Sequence, residues 1–337
     1  MDLKVVRTLP KEIWRDFIDK HDQSNIFHTP EMFDVFKNTE GHTPMLWAAV
    51  DKTGVPLALF LPVYVTLKDG LLQWLTTRAV VYGGILCHSN QRGIDALGLL
   101  LQNYRNEAKK NILFTEIRNL SDATELQTVL QKHIFTYEDH LNYLINLNTS
   151  QDELWQQMRK SGKKSVKVAR KKNVAIEEMT TLEQLDIAYS IILETYNRLH
   201  VPLASVNLFR NVFELLSPKG MCRFLLIKVD NQYAGARLTL TYKHRIIAWY
   251  ATTKREFSSC RPNEFSVWNM LEWGQENDYH LFDFGGAGKP NEPYGPRDFK
   301  AKFGGDLVNY GRNVCVHHPH LLKMSKAGFE ITRRFYF

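Results

Sequence analysis

Apolar and polar positions repeat one arrangement twice along the chain. "LWAAVDKTGVPLALFLPVYV" (Leu46 to Val65) reads as two strands around a turn at Lys52-Thr53-Gly54. "FLLIKVDNQYAGARLTLTYK" (Phe224 to Lys243) reads as another pair around Asp230-Asn231-Gln232. Turn residues between two such runs predict β-hairpins. Each pair sets Val-Asp before its turn and is followed by a short strand with a tryptophan, Trp74 in "LLQWL" and Trp249 in "RIIAWYA". Recurrence near half the chain length points to duplication; two unrelated hairpins are the alternative.

Helical periodicity flanks both pairs. The first half predicts helices at 11–20, 31–37, 93–109 and around 123–132, with a strand at "NILFTEIRN". "EDHLNYLINL" (Glu138 to Leu147) closes that half as an alternating strand. The second half predicts one helix over 151–172, then helices at 182–199, 206–216 and 263–277, the last opened by Pro262. "YHLFDF" is its final strand. This order predicts mixed α/β layers. The expected division is 1–148 and 149–337, and 337 residues are enough for two cores.

Composition narrows the class. An apolar share of 44% suits a globular chain, and no run approaches the ~18 apolar residues of a membrane helix. The charged start lacks a signal core, and four scattered cysteines make no CxxC pair. Both lead to the expectation of a cytoplasmic protein without a disulfide framework or zinc ribbon. No histidine spacing suits a metal, and His317-His318 beside Pro319 reads as an exposed turn. Nothing marks a nucleophilic Ser or Cys. A net charge of +7 suggests a polyanionic partner.

That charge is concentrated. From Arg159 to Lys172 eight of fourteen residues are Lys or Arg. The plain reading is a solvated helix face; the functional one is capture of phosphates or an RNA backbone by residues such as Lys163, Lys164 and Lys167. Aromatic interleaving is nearly absent, so base recognition is not expected.

"FDFGGAGKPNEPYGPRDFKAKFGG" (Phe282 to Gly305) looks at first like a nucleotide loop. Pro290, Pro293 and Pro296 forbid the immediate helix of a dinucleotide fingerprint, and Gly288-Lys289 is followed by Pro290 rather than Ser or Thr.

Several segments together resemble the FemAB family of non-ribosomal peptidyl transferases and related acyltransferase domains. They are "NIFHTPEMFDVFKNTEGHTP" (Asn25 to Pro44), "TTRAVVYGGILC" (Thr76 to Cys87), the basic helix, and the ending "FDFGGAG…DFKAKFGG". The resemblance spans nearly the whole chain, and its closing motif is the most specific part. It implies two tandem domains resembling the GCN5-related N-acetyltransferase fold, each a mostly antiparallel mixed sheet flanked by helices. It also implies transfer of an amino acid from aminoacyl-tRNA to an amine of a lipid- or nucleotide-linked peptidoglycan precursor.

Residue by residue, the resemblance aligns Lys37 with a lysine contacting the acceptor's phosphate-sugar part, and Lys300 with one near the donor ester. It places Arg78, Tyr82 and Gly83 along the acceptor groove. No obligatory cofactor is implied. The acetyltransferase diphosphate loop should precede the helix at Asn263, yet "TTKREFSSCRPNEF" holds no glycine. That argues against coenzyme A, although Lys254, Arg255 and Arg261 beside a helix N-terminus suit phosphate.

Aminolysis of an ester needs a neutral amine, a stabilised oxyanion and a proton path to the leaving group. Lys300 is the candidate for the charge, with a surface lysine as the plain alternative. Asp283 is either a base or, as such residues more often are, the cap of a turn. Gly285 and Gly286 are expected to supply positive φ or close approach, and their N–H groups are candidate oxyanion donors. Arg237, Tyr250, Tyr294 and Phe299 are candidate cleft residues. Residues 320–337, basic and aromatic, are expected to dock on the domain or to attach to an anionic membrane. An acyl-CoA or acyl-carrier-protein N-acyltransferase and a non-catalytic phosphate- or RNA-binding protein stand as alternatives.

Overall fold

A computed structural model describes residues 3–66 and 76–325. Trp74 and most of the 320–337 tail lie outside the described residues. In chain order the elements begin with β1 (Lys4–Val6), α1 (Lys11–Lys20), α2 (Pro30–Lys37), β2 (His42–Pro44), β3 (Trp47–Val50) and β4 (Pro56–Phe60). Next are β5 (Pro62–Thr66), β6 (Thr77–Gly83), β7 (Leu86–Cys87), α3 (Gln91–Ala108), β8 (Phe114–Asn119), α4 (Gln127–Lys132) and β9 (Thr136–Glu138). Then come β10 (Leu141–Asn146), α5 (Gln151–Gln157), α6 (Lys160–Lys171), β11 (Val174–Glu178), α7 (Leu182–Arg198) and α8 (Val206–Leu216). The chain continues with β12 (Cys222–Val229), β13 (Gln232–Tyr242), β14 (Arg245–Thr253), α9 (Pro262–Glu276) and β15 (Leu281–Gly286). It closes with α10 (Gly295–Lys300), β16 (Asp306–Asn309) and β17 (Arg312–Val316).

The chain divides into two compact units, Met1–Asp139 with Tyr310–Phe337, and His140–Asn309. This moves the expected boundary at residue 148. Strand β10 was assigned to the first half, but it lies between β15 and β16 in the second unit's sheet. Alternation reveals a strand, not its partner. The chain then re-enters the first unit through β17, which sits between β8 and β9.

The first unit has sheets of order β1-β3-β4-β7 and β2-β5-β6-β8-β17-β9. The predicted first hairpin forms, with Trp47 opposite Phe60, and the Asp51 carboxylate holds its turn by accepting from the N–H groups of Thr53 and Val55. Its second strand was expected to be continuous. Instead it breaks at Leu61, and β5 joins the other sheet, because Pro62 cannot donate to a continuing ladder. The core packs Phe60, Tyr104 and Phe135, all fully buried. His317, expected in an exposed turn, is half-buried and reaches Thr115 Oγ1 at 2.8 Å; burial pushes its imidazole down to about 4.

The second unit is one sheet of order β11-β12-β13-β14-β15-β10-β16. Its hairpin turns at Asp230 and Asn231, both in the left-handed region with φ of 47° and 63°, the type I′ geometry that matches strand twist. The predicted helix over 151–172 is two helices, because Met158 is extended with ψ of 138° and buries its side chain. Gly162 on α6 then approaches so closely that a Cβ there would lie 2.6 Å from the carbonyl oxygen of Lys302. Trp268, Phe282 and Phe303 fill the core. Among the described residues no helix is long and apolar enough to cross a membrane.

Candidate active site

The second unit's sheet opens in its middle. Strands β14 and β15 run parallel through only three pairs, Arg245–Leu281, Ile246–Phe282 and Ile247–Asp283. Beyond them β14 stays on β13 through a bulge at Leu238/Thr239 that leaves Trp249 unmatched, while β15 continues on β10 as far as Asn142–Gly286. Bulges bend the strand that carries them. As a result Ala248, Trp249, Tyr250, Gly285 and Gly286 are half-exposed although their strands are central. The opening is a gap between two strand ends.

Lys300 reaches the β15 side of this gap from the last turn of α10. Its Nζ donates to the carbonyl oxygens of Phe284 at 2.8 Å, Gly286 at 2.7 Å and Gly285 at 3.3 Å. Burial pushes its ammonium down to about 8; nearby Asp283 works against that shift and Arg237 adds to it. The closing motif brings both its ends together here, across the prolines. Arg297, which the sequence reading passed over, holds that connector by donating to the carbonyl oxygens of Ala287, Pro290 and Lys289.

Asp283 is fully buried. Its Oδ2 accepts from Arg245 Nη2 and its Oδ1 from the N–H of Gly285, each at 2.7 Å. This is the turn-capping role, and with both oxygens engaged the carboxylate is not placed as a base. It also corrects the expectation for Gly285, whose N–H serves Asp283 rather than an oxyanion. Gly285 does have positive φ, 69°. Gly286 instead allows close approach: a Cβ there would lie 2.7 Å from Nε2 of His140.

Arg237 is 2% exposed. It donates from Nε to Ser266 Oγ at 2.9 Å and from Nη2 to Asn263 Oδ1 at 2.7 Å, fixing β13 to the start of α9. Burial lowers its guanidinium to about 10, and no ion pair with a carboxylate joins it among the described residues. Lys300 brings a positive charge to the floor of the gap, where the nearby Asp283 carboxylate is engaged by Arg245.

The remaining candidates divide. Tyr250 lies in the gap wall, with its ring 4.8 Å from that of Phe209. Tyr294 is exposed at the start of α10. Phe299 packs edge-on against Phe303 at 5.6 Å, which makes it part of the core side of α10 rather than of the gap. On α6, Lys163 donates to the carbonyl oxygen of Gln156 at 3.0 Å, so it caps α5. Lys164 and Lys167 are exposed, and with Lys160 and Lys171 they form one helical stripe.

Lys254, Arg255 and Arg261 lie together before α9, Arg261 with φ of 58°. Several groups of this segment are already engaged, which weakens it as a diphosphate cradle. The N–H groups of Phe257 and Arg261 close local turns onto Lys254 and Ser258, Pro262 has none, and Glu264 stands in the first turn, paired with Lys302 at 3.0 Å.

In the first unit, Arg78, Tyr82 and Gly83 share β6, and Lys37 ends α2 in solvent. Tyr82 is stacked by Phe27 and Phe36, each at 5.4 Å, with the Arg118 guanidinium 5.5 Å above its ring; burial raises its phenol. Glu116 pairs with Arg118 and Arg312, and the guanidiniums hold its carboxyl below the usual range against burial. Arg78 Nε is buried with no hydrogen-bond partner. Arg78, Arg118 and Arg312 gather on this face, with Glu116 between two of them and Glu138 also near Arg312. Gly83, φ 82°, is required for a different reason than the groove: its missing Cβ is replaced by Asn25, whose Oδ1 would be 2.3 Å away. A cavity of about 990 Å³ also lies in this unit. Its wall is mostly acidic, with Glu12, Asp22, Asp122 and Glu125 beside the Asp16–Lys20 pair, and it holds none of the candidate residues.

Residues 156–300 match the family described as an acetyltransferase (GNAT) domain. Among solved structures, FemX is similar over 98% of this chain and 100% of its own, at 14% identity and a TM-score of 0.73. The tandem GNAT protein from the clavulanic acid biosynthesis pathway is similar over 94% and 99%, at 11% identity and 0.59. L-PGS from Bacillus licheniformis is similar over 95% and 97%, at 12% identity and 0.58. The chain matches no curated protein sequence. These likenesses establish a fold of tandem GNAT-like domains, and residues 156–300 are similar to the acetyltransferase (GNAT) domain.

Proposed function

We propose that the β14/β15 gap transfers an aminoacyl group from aminoacyl-tRNA to an amine of a peptidoglycan precursor, a reading supported by the match of residues 156–300 to an acetyltransferase (GNAT) domain and by the likeness of the fold to FemX. The observation that carries this reading is Lys300, an ammonium held on three carbonyl oxygens at the one place where the sheet opens.

In the reaction, the neutral amine attacks the ester carbonyl and a C–N bond forms. The carbonyl oxygen becomes an oxyanion, then the C–O bond to the ribose breaks. The amine's proton leaves, and the ribose oxygen gains one. Lys300 stabilises the developing negative charge, and a fixed cation in a site shielded from water acts with little reorganisation. Its longest bond, 3.3 Å to Gly285, is the one a substrate oxygen exchanges most cheaply. Near pH 8 the same group can pass a proton to the leaving oxygen and recover it.

The weakened diphosphate cradle before α9 supports an ester donor over coenzyme A. The exposed Lys160–Lys171 stripe suits the donor's RNA backbone, and the arginine face around Arg78 suits the phosphate of a lipid- or nucleotide-linked acceptor. The test is transfer by the purified protein from radiolabelled aminoacyl-tRNA to a uridine-nucleotide or lipid-linked peptidoglycan precursor. Labelled product that disappears in Lys300→Met supports the proposal. Turnover with acyl-CoA and none with aminoacyl-tRNA overturns the donor, and unchanged turnover in Lys300→Met overturns the mechanism.

A further inference from the structure

Tyrosines from three places in the fold stand around the mouth of the gap. Tyr250 lies on β14, past Ile247, the last residue in register with β15. Tyr196 on α7 lies 5.9 Å from it, ring to ring. Tyr294 stands on the opposite lip: a Cβ on Gly288, just past β15, would come 2.9 Å from its Cγ. Tyr196 senses this residue too, since its phenol is raised by burial first and by neighbouring Tyr294 second. The frame is firm, with Phe209 backing Tyr250 at 4.8 Å and Thr195 joined to Thr252 at 2.7 Å, so α7 is fixed to β14. Tyr196 and Tyr250 remain half-exposed, and Tyr294 is 40% exposed.

Below the arch Lys300 makes the floor cationic, and the neighbouring Asp283 carboxylate is engaged by Arg245. A positively charged group is repelled from that floor and attracted to the faces of the rings. An electron-rich oxygen has the opposite preference. We infer that Tyr196, Tyr250 and Tyr294 form an aromatic arch that receives the ammonium group of the substrate and turns its carbonyl oxygen toward Lys300. This rests on the reading of the gap as the transfer site, and it narrows the donor to an aminoacyl group with a free amino group, as against an N-blocked or fatty acyl group.

The arch is tested without turnover, using the full chain and two probes of equal shape. Choline carries a trimethylammonium group; 3,3-dimethylbutan-1-ol replaces it by a neutral tert-butyl group. Titrations followed by ligand NMR should show choline binding about tenfold more tightly. Tyr250→Phe should keep that preference, whereas Tyr250→Leu and the exposed Tyr294→Leu should each erase most of it. Equal affinities, preference for the alcohol, no binding of either probe, or a preference unchanged in both leucine variants would overturn the inference. Choline preference without transfer from aminoacyl-tRNA would sink the transfer reading and leave the ammonium site standing. Transfer without the preference would do the reverse.

Discussion

The backbone N–H of Arg159 donates to the carbonyl oxygen of Lys302 across 2.9 Å, and Gly162 on the next turn packs against that same oxygen. The basic helix α6 is thereby fastened two residues beyond Lys300. At an exposed helical position Gly→Ala gains up to ~1 kcal/mol from propensity. Here the new methyl meets backbone at 2.6 Å, and overpacking of this kind costs ~1–3 kcal/mol. Gly162→Ala is therefore expected to lower the melting temperature and to reduce kcat more than it weakens polyanion binding. A raised melting temperature in thermal unfolding would show that the contact is slack.

The pH dependence of Lys300 has a definite sign. Its proton is lost near pH 8 in the folded chain against 10.5 ordinarily. An oxyanion needs the ammonium, so kcat should fall as pH rises through about 8, and Lys300→Arg, with a planar guanidinium, should be slow but lack that fall. For stability, the unfolded chain holds the extra proton between 8 and 10.5, so this group's contribution rises with pH across that window. The wild type should therefore gain on Lys300→Met from about pH 7.5 to about pH 10. Thermal unfolding of both proteins decides it, and taking the difference cancels the contribution of Cys87 and Cys222, whose thiols burial pushes up to about 12 from the ordinary 9.0.

Asp283 and Arg245 make a second testable pair. Asp283→Asn can keep the acceptor for Gly285 N–H but removes the charge facing Arg245, whose side chain is only 15% exposed. Breaking a buried pair from one side costs ~3–5 kcal/mol. The expected result is a large loss in urea unfolding, partly recovered when Arg245→Met is added, because the two changes share one interaction. Should Asp283→Asn unfold like the wild type yet abolish turnover, the carboxylate would be a base after all.

Local chemistry made much of this readable. Asp and Asn tolerate the left-handed region, so the turn at Asp230-Asn231 could be read directly, and helix α8 has the expected bounds Val206–Leu216. The Gly285-Gly286 and Phe299-Lys300 ends were also recognisable as one unit, and Lys300 joins them. What escaped depends on distant partners. Nothing within "EDHLNYLINL" says that β10 pairs with β15. The break at Met158 is accompanied by contacts of Arg159 and Gly162 with Lys302, about 140 residues away in sequence. Tyr196 sits in an ordinary amphipathic helix, and nothing in that helix says that its ring lies beside Tyr250.

The basic helix yields the last discrimination, because its lysines are not equivalent. Each phosphate contact made with single-stranded nucleic acid steepens the fall of log K against log salt by about 0.7. Lys164 and Lys167 are exposed on the stripe with Lys160 and Lys171, so Lys164→Gln and Lys167→Gln should each flatten that slope by about this amount. The Lys163 ammonium is committed to the carbonyl oxygen of Gln156, and Lys163→Gln should leave the slope nearly unchanged while loosening the end of α5. Filter binding of deacylated tRNA over a range of salt concentrations measures all three. Equal flattening by all three variants would mean a diffuse charge effect, and no flattening by any would remove α6 from the RNA surface.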